Sequence, residues 1–156
     1  MNAQTPDERG YLVRTGQDVP EITLKLTDGK NINIKDLRGK VVMLQFTASW
    51  CGVCRKEMPF IEKDIWQVYK DKGLVLIGVD RAEPLEKVTE FAKLMKITYP
   101  LALDENSEVF TAFADKSAGV TRNVLIDRKG KIVFLTRLYD TAEFESLKKK
   151  IGELLN

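Results

Sequence analysis

Two nearly unbroken apolar runs, Val41-Val42-Met43-Leu44-Gln45-Phe46 and Leu74-Val75-Leu76-Ile77-Gly78-Val79, limit the folds open to this chain more than any other feature. Neither alternates between apolar and polar, so each reads as a strand buried on both faces rather than one with a wet side. Between them Met58, Ile61, Ile65, Val68 and Tyr69 fall at helical spacing until Lys72-Gly73 closes the element.

The rest of the chain extends this alternation. Ile22, Leu24 and Leu26, the turn Thr27-Asp28-Gly29-Lys30, then Ile32 and Ile34 read as a β-hairpin. Pro84 sits where a first helical turn tolerates it, and Leu85, Val88, Ala92 and Met95 form one apolar helix face. Tyr99–Leu103 reads as a short strand and residues 106–114 as a short helix, with Val109, Phe110 and Phe113 inward. Asp127-Arg128-Lys129-Gly130 joins two further strands as a hairpin, and Phe144, Leu147, Ile151, Leu154 and Leu155 mark a closing helix. The order predicts an α/β fold, a central mixed sheet with helices on both faces. Residues 1–16, polar and without sustained periodicity, are expected to form an arm, and residues 17–156 a single domain.

Bulk properties exclude several functions. The 156 residues carry 25 Lys and Arg against 23 Asp and Glu, interspersed, so the net charge of +2 offers neither a nucleic-acid groove nor a polybasic membrane anchor. No apolar run approaches the ~20 residues that cross a bilayer. The chain contains no histidine, which removes Cys-His and Ser-His catalysis and the commonest transition-metal ligand. Two cysteines alone make a poor metal site, so no metal is expected.

Those two cysteines, Cys51 and Cys54, lie in Trp50-Cys51-Gly52-Val53-Cys54, directly after the first buried run. Thiol–disulfide exchange needs one thiol that ionises readily and a second close enough to displace the substrate from a mixed disulfide. At a helix start Cys51 meets unpaired N–H groups and the positive end of the helix dipole, which favour its thiolate. Cys54, a turn further in, is the resolving thiol. A purely structural bridge would contribute little, because closing a four-residue loop is worth about 2 kcal/mol against about 5 for a loop of a hundred.

The segments LQFTASWCGVC, CRKEMP, the helical stretch before YPLALD, and GVTRNVLIDRKGKIV together resemble the thioredoxin superfamily, and within it the TlpA/ResA-like thiol–disulfide oxidoreductases, over residues 17–155. The resemblance implies a thioredoxin fold with an N-terminal β-hairpin and a helical insert before the third core strand. It implies Cys51 as nucleophile, Cys54 as resolving cysteine, Trp50 as the aromatic beside the site, and Pro59 as the proline that kinks the active-site helix. Glu57, three residues after Cys54, matches a glutamate that tunes the cysteine pair in this branch.

The chain departs from the pattern at three places. Gln45 stands where thioredoxin has a buried aspartate; it cannot take a proton, which leaves Glu57 as the candidate. Gly52-Val53 lacks the proline usual before the second cysteine. In Gly119-Val120-Thr121-Arg122, Thr121 replaces the family's cis-proline, and the intrinsic cost of ~2.5–4 kcal/mol for a non-proline cis bond predicts a trans 120–121 peptide. This loop would present backbone to substrate, with the Thr121 hydroxyl or Arg122 contacting substrate or Cys51.

The expected function is disulfide reduction by the Cys51/Cys54 pair, with no other cofactor. Gly52, Val53, Val120, Thr121 and Arg122 join Trp50 as substrate-facing residues. Expected partners are protein or small-molecule disulfides and an upstream thiol donor, and the chain is expected to be a monomer. Two alternatives stand beside this: a peroxiredoxin-like thiol peroxidase using Arg122, and a redox-inactive binding module. A cell-envelope location is expected if an export signal precedes this sequence, a cytoplasmic one otherwise.

Overall fold

A computed structural model describes residues 4–156. The two apolar runs become β3 (Val41–Thr47) and β4 (Leu74–Arg81), which pair in parallel, and every residue of β3 is buried. Before them come β1 (Thr23–Leu26) and β2 (Asn31–Asn33), an antiparallel hairpin whose turn places Gly29 at φ +93°, a conformation glycine adopts without steric cost. After them come β5 (Leu101–Asp104), β6 (Arg122–Ile126) and β7 (Ile132–Leu135). The seven strands form one mixed sheet in the order β2-β1-β5-β4-β3-β6-β7, with β4 and β5 parallel and β6 antiparallel to both β3 and β7.

The helices match their expected periods with local differences. The crossing element starts as α1 (Gly52–Phe60) and widens into π-helical turns over Ile61–Trp66, directly after Pro59. Proline lacks the N–H that an α-turn needs and crowds the carbonyl a turn behind, so the ladder changes there. The element closes through the single turn α2 (Gln67–Tyr69) and a 3-10 turn, with Gly73 left-handed at its end. In α3 (Leu85–Met95) the buried residues are Val88 and Phe91, whereas Leu85 is 45% exposed. Pro84 is extended at the helix start, so Leu85 opens the helix on its outer side and Phe91 takes the inward place. The short α4 (Glu108–Phe113) buries Val109, Phe110 and Phe113 as its pattern indicated, and the closing α5 (Thr141–Leu155) buries Phe144, Leu147 and Ile151 but leaves Leu154 and Leu155, at its end, half-buried.

The expected polar arm, residues 1–16, packs against the domain from residue 4 onward; its first three residues lie outside the described residues. Tyr11 is fully buried and bridges to Ala114, and Val13 is buried as well. The Tyr11 hydroxyl donates to the Thr136 carbonyl at 2.5 Å, and the Arg122 guanidinium sits over its ring at 4.6 Å. Burial pushes the phenol well above its ordinary pKa, so it remains a donor. The apolar stretch Tyr11-Leu12-Val13 is too short for a periodicity to reveal which of its residues are buried. Tyr11→Phe is expected to lower unfolding free energy by about 1–2 kcal/mol in denaturant melts, the cost of leaving the Thr136 carbonyl without its donor; an unchanged midpoint would show that the arm does not anchor through this bond.

Candidate active site

β3 runs straight into the redox turn, so the sheet delivers Cys51 at the carboxyl end of a central strand, the edge where open α/β sheets place their sites. Cys51 is the N-cap of α1, with φ −88° and ψ 109°. The Cys54 N–H, one of the donors a helix start leaves unpaired, points at Cys51 Sγ at 3.2 Å. Cys51 and Cys54 are joined as a disulfide with Cα atoms 5.3 Å apart. Cys51 is 6% exposed and Cys54 fully buried, so a substrate can reach only the first sulfur. Trp50 beside it is 68% exposed. Gly52 is exposed and Val53 half-buried.

Because β6 is antiparallel to β3, the start of β6 lies beside the end of β3, with Phe46 opposite Arg122. This brings the 119–121 loop to the cysteines across some seventy residues of sequence. The Val120 carbonyl oxygen is 3.7 Å from Cys51 Sγ. The next residue, Thr121, donates its hydroxyl to Glu57 Oε1 at 3.0 Å, and Asn123 Nδ2 donates to Glu57 Oε2 at 3.1 Å. Consecutive loop residues thus touch the nucleophile and the carboxyl group.

Two expectations for this loop are corrected. The Val120–Thr121 peptide is cis, not trans. The intrinsic preference for trans applies to a free peptide, whereas here both residues are held from several sides: Val120 at Cys51, and Thr121 through its hydroxyl and through its carbonyl, which accepts from the Leu138 N–H at 3.0 Å and from Arg137 Nη1 at 3.3 Å. Arg122 does not face the cysteines. Its side chain is buried, donates from Nε to the Gly119 carbonyl at 2.7 Å and stacks on Tyr11. Thr121 contacts Glu57 rather than Cys51.

Glu57 is 1% exposed on α1, one turn beyond Cys54 and on the same helix face. Burial pushes its carboxyl up to about 7, against the pull of the hydrogen bonds from Thr121 and Asn123, with the Glu143 charge adding a smaller push upward. A carboxyl group balanced near neutrality can both accept and return a proton at physiological pH. Asn123, unnoticed as a site residue in the sequence, is the second anchor of Glu57; a polar residue just inside the start of a buried strand is its trace there. Gln45 lies in the sheet opposite Asn123, where its Oε1 accepts from the Tyr99 hydroxyl at 2.8 Å.

The mixed sheet, the flanking helices and a Cys-x-x-Cys disulfide capping the first crossing helix define a thioredoxin-fold thiol–disulfide oxidoreductase. The Redoxin family profile matches residues 14–151, and the chain belongs to that family. Within it the chain is a TlpA/ResA-like protein: it is 34% identical over 122 residues to the thiol-disulfide oxidoreductase ResA of a Bacillus cereus strain, covering 78% of this chain and 68% of that one. A solution structure from Bacteroides thetaiotaomicron, described as a candidate protein disulfide isomerase, is similar at TM-score 0.91 and 62% identity, covering 94% of this chain and 92% of that one. The thioredoxin domain of a thiol-disulfide oxidoreductase from Bacteroides vulgatus is similar at TM-score 0.77 and 25% identity, covering 92% of this chain and 99% of that one. Among the described residues no helix is long and apolar enough to cross a membrane.

Proposed function

We propose that the protein reduces disulfides in protein substrates, with Cys51 as the attacking thiolate, Cys54 as the resolving thiol and Glu57 as the group that takes and returns the resolving proton. The observation that carries this reading is the Cys54 N–H aimed at Cys51 Sγ at 3.2 Å, a donor that stabilises negative charge on the one sulfur a substrate can reach. Cys51 Sγ attacks a substrate sulfur, forming a mixed disulfide and expelling the other substrate sulfur as a thiolate, which takes a proton. Glu57 then accepts the Cys54 proton. Cys54 Sγ attacks Cys51 Sγ, releasing the second substrate thiol and closing the Cys51–Cys54 disulfide, so two electrons have passed to the substrate. An upstream dithiol restores the pair, and no further cofactor enters. Exposed Trp50 and Gly52, half-buried Val53 and the 119–121 backbone supply the surface on which an extended substrate chain would lie.

The test is a stoichiometric reaction of the reduced protein with a disulfide-bonded protein, followed by alkylation and mass measurement. One substrate disulfide is expected to open for each Cys51–Cys54 bridge formed, with hydrogen peroxide consumed no faster than by a free dithiol. Rapid peroxide consumption with untouched protein disulfides would replace this reading with a peroxidase. Arg122, turned onto Tyr11 and Gly119, offers no support for that alternative.

We further infer that the protein works in the cell envelope, because disulfides persist in oxidising compartments and a reductant is needed there. Recovery of the native protein in the cytoplasmic fraction would overturn this.

A further inference from the structure

Two more carboxyl groups are buried beside the redox turn, apart from the cluster around Glu57. Asp80, opposite Thr47 in the β3–β4 pairing, is fully buried; Glu83, in the connection between β4 and α3, is 5% exposed. Glu83 grips Ser49, two residues before Cys51, twice: Oε1 accepts from the Ser49 N–H at 2.6 Å and Oε2 from the Ser49 hydroxyl at 2.5 Å. The Ser49 carbonyl in turn accepts from Arg55 Nε at 2.7 Å. Every polar group of Ser49 is therefore held, although the next residue, Trp50, is the most exposed large apolar side chain described.

Asp80 presents a contrasting situation. Neither of its carboxyl oxygens has a hydrogen-bond donor among the described residues, and the Glu83 carboxyl lies against it. An ionised Asp80 would be a buried charge with no donor, facing a second charge of the same sign. A proton on Asp80 removes both penalties, because it can be donated to Glu83, whose oxygens already receive Ser49.

We propose that Asp80 and Glu83 form a one-proton carboxyl pair that positions the Ser49–Trp50–Cys51 turn for disulfide exchange, with Glu83 as the positioning residue and Asp80 as its proton-carrying partner. Titration preferences agree with this geometry. Burial, followed by the neighbouring Glu83, pushes the Asp80 carboxyl far above the ordinary carboxylate range. Glu83 is held below its ordinary value: burial opposes its charge, but hydrogen bonds from Asp80 and Ser49 and the charge of Lys87 outweigh it. The charged groups facing the assembly are Lys87 of α3 and, through Ser49, Arg55 of α1. Loss of the shared proton in the alkaline range sets two buried carboxylates against each other and loosens the grip on Ser49.

The proposal rests on Cys51 as the exchanging thiol, but its primary test does not. In the oxidised wild-type protein no cysteine titrates, and residue-resolved side-chain carbon NMR from pH 4 to 10 separates the carboxyl pair from Glu57, whose own carboxyl titrates at about 7. The Asp80 Cγ resonance is expected to titrate with a midpoint above pH 7, with Ser49 Cβ moving in step. In Asp80→Asn, Ser49 Cβ is expected to stay flat above pH 7. In the reduced protein at pH 7, Glu83→Ala is expected to slow reaction with a protein disulfide about tenfold through misplacement of the turn, and Glu83→Gln, which keeps one acceptor on Ser49, to recover most of that rate. Asp80 titrating near pH 4, or Ser49 still titrating in alkali in Asp80→Asn, would overturn the pair. Failure of the Cys51 reading shows separately, as wild-type exchange rates in Cys51→Ser.

Discussion

Cys54→Ala protein, reduced and mixed with a disulfide-bonded substrate, is expected to accumulate as a covalent adduct through Cys51, whereas Cys51→Ser forms no adduct and loses exchange activity by at least about a thousandfold. The two variants differ because the structure gives the sulfurs different access. Cys51 caps α1 with a small part of its surface (6%) open to solvent and the Cys54 N–H directed at its sulfur, while Cys54 is fully buried. Removing the buried thiol leaves attack intact and abolishes resolution, so the mixed disulfide persists. Removing the more accessible one leaves a thiol that no protein substrate can reach. Non-reducing gel shifts and intact mass measure the adduct directly. Equal trapping by Cys51→Ala would reverse the assigned roles, and activity surviving in Cys51→Ser would remove the cysteine pair from the mechanism.

The second large effect is a pH dependence of stability centred on Glu57. Its carboxyl lies at about 7 in the folded protein against 4.5 as a free side chain, with burial as the leading cause. The folded value is the higher, so the folded state holds the proton more tightly than the unfolded chain. Its contribution is therefore fully present below about pH 4.5 and is lost as pH rises through 7, a loss on the order of 3 kcal/mol by linkage. Glu57→Gln is expected to remove Glu57's share of that slope, leaving the part due to Asp80, and to be the more stable protein at pH 8 by about 2–3 kcal/mol. The amide suits the site, because Asn123 Oδ1 has no hydrogen-bond partner among the described residues and can accept from it once the Asn123 amide turns over. Thr121→Val, which removes the hydroxyl donor to Glu57 and keeps the shape, is expected to raise the Glu57 midpoint further, by about one unit. Denaturant melts between pH 4 and 9 and carboxyl carbon titration measure these effects. A wild-type stability that is flat across this range would show that Glu57 is not buried as a titrating acid. The stability gained at pH 8 should come with slower resolution, since a glutamine cannot take the Cys54 proton.

Much of this site was readable from residue order. The runs at 41–46 and 74–79 required strands covered on both faces, and β3 and β4 have that character because helices cross over the sheet. Trp50-Cys51-Gly52-Val53-Cys54 after the first run required thiol chemistry at a helix start, because the donors at such a start are a local property of backbone geometry. Glu57 followed from the family resemblance, whose matching glutamate stands three residues after the second cysteine, and helical spacing then puts it one turn beyond Cys54.

Other features depend on long-range packing. Arg122 beside Thr121 reads as a second substrate contact, yet successive residues around a strand start point to opposite sides: Thr121 turns to Glu57, while Arg122 is buried over Tyr11. Tyr11 itself looks like part of a loose arm until its hydroxyl meets the Thr136 carbonyl across 125 positions of sequence. The geometry of the Val120–Thr121 peptide follows from anchors on α1 and on the segment after β7, none of which is local. Nothing in the order of residues pairs Asp80 and Glu83 with Ser49; the parallel register of β3 with β4 does so, by setting Thr47 opposite Asp80. Residue order was enough to set the chemistry, through a strand that must be buried and a helix start that must carry two thiols. How that chemistry is tuned came from folding in three dimensions, because antiparallel β6 brings Thr121 and Asn123 to Glu57, and parallel β4 brings two carboxyls to the turn that presents Cys51.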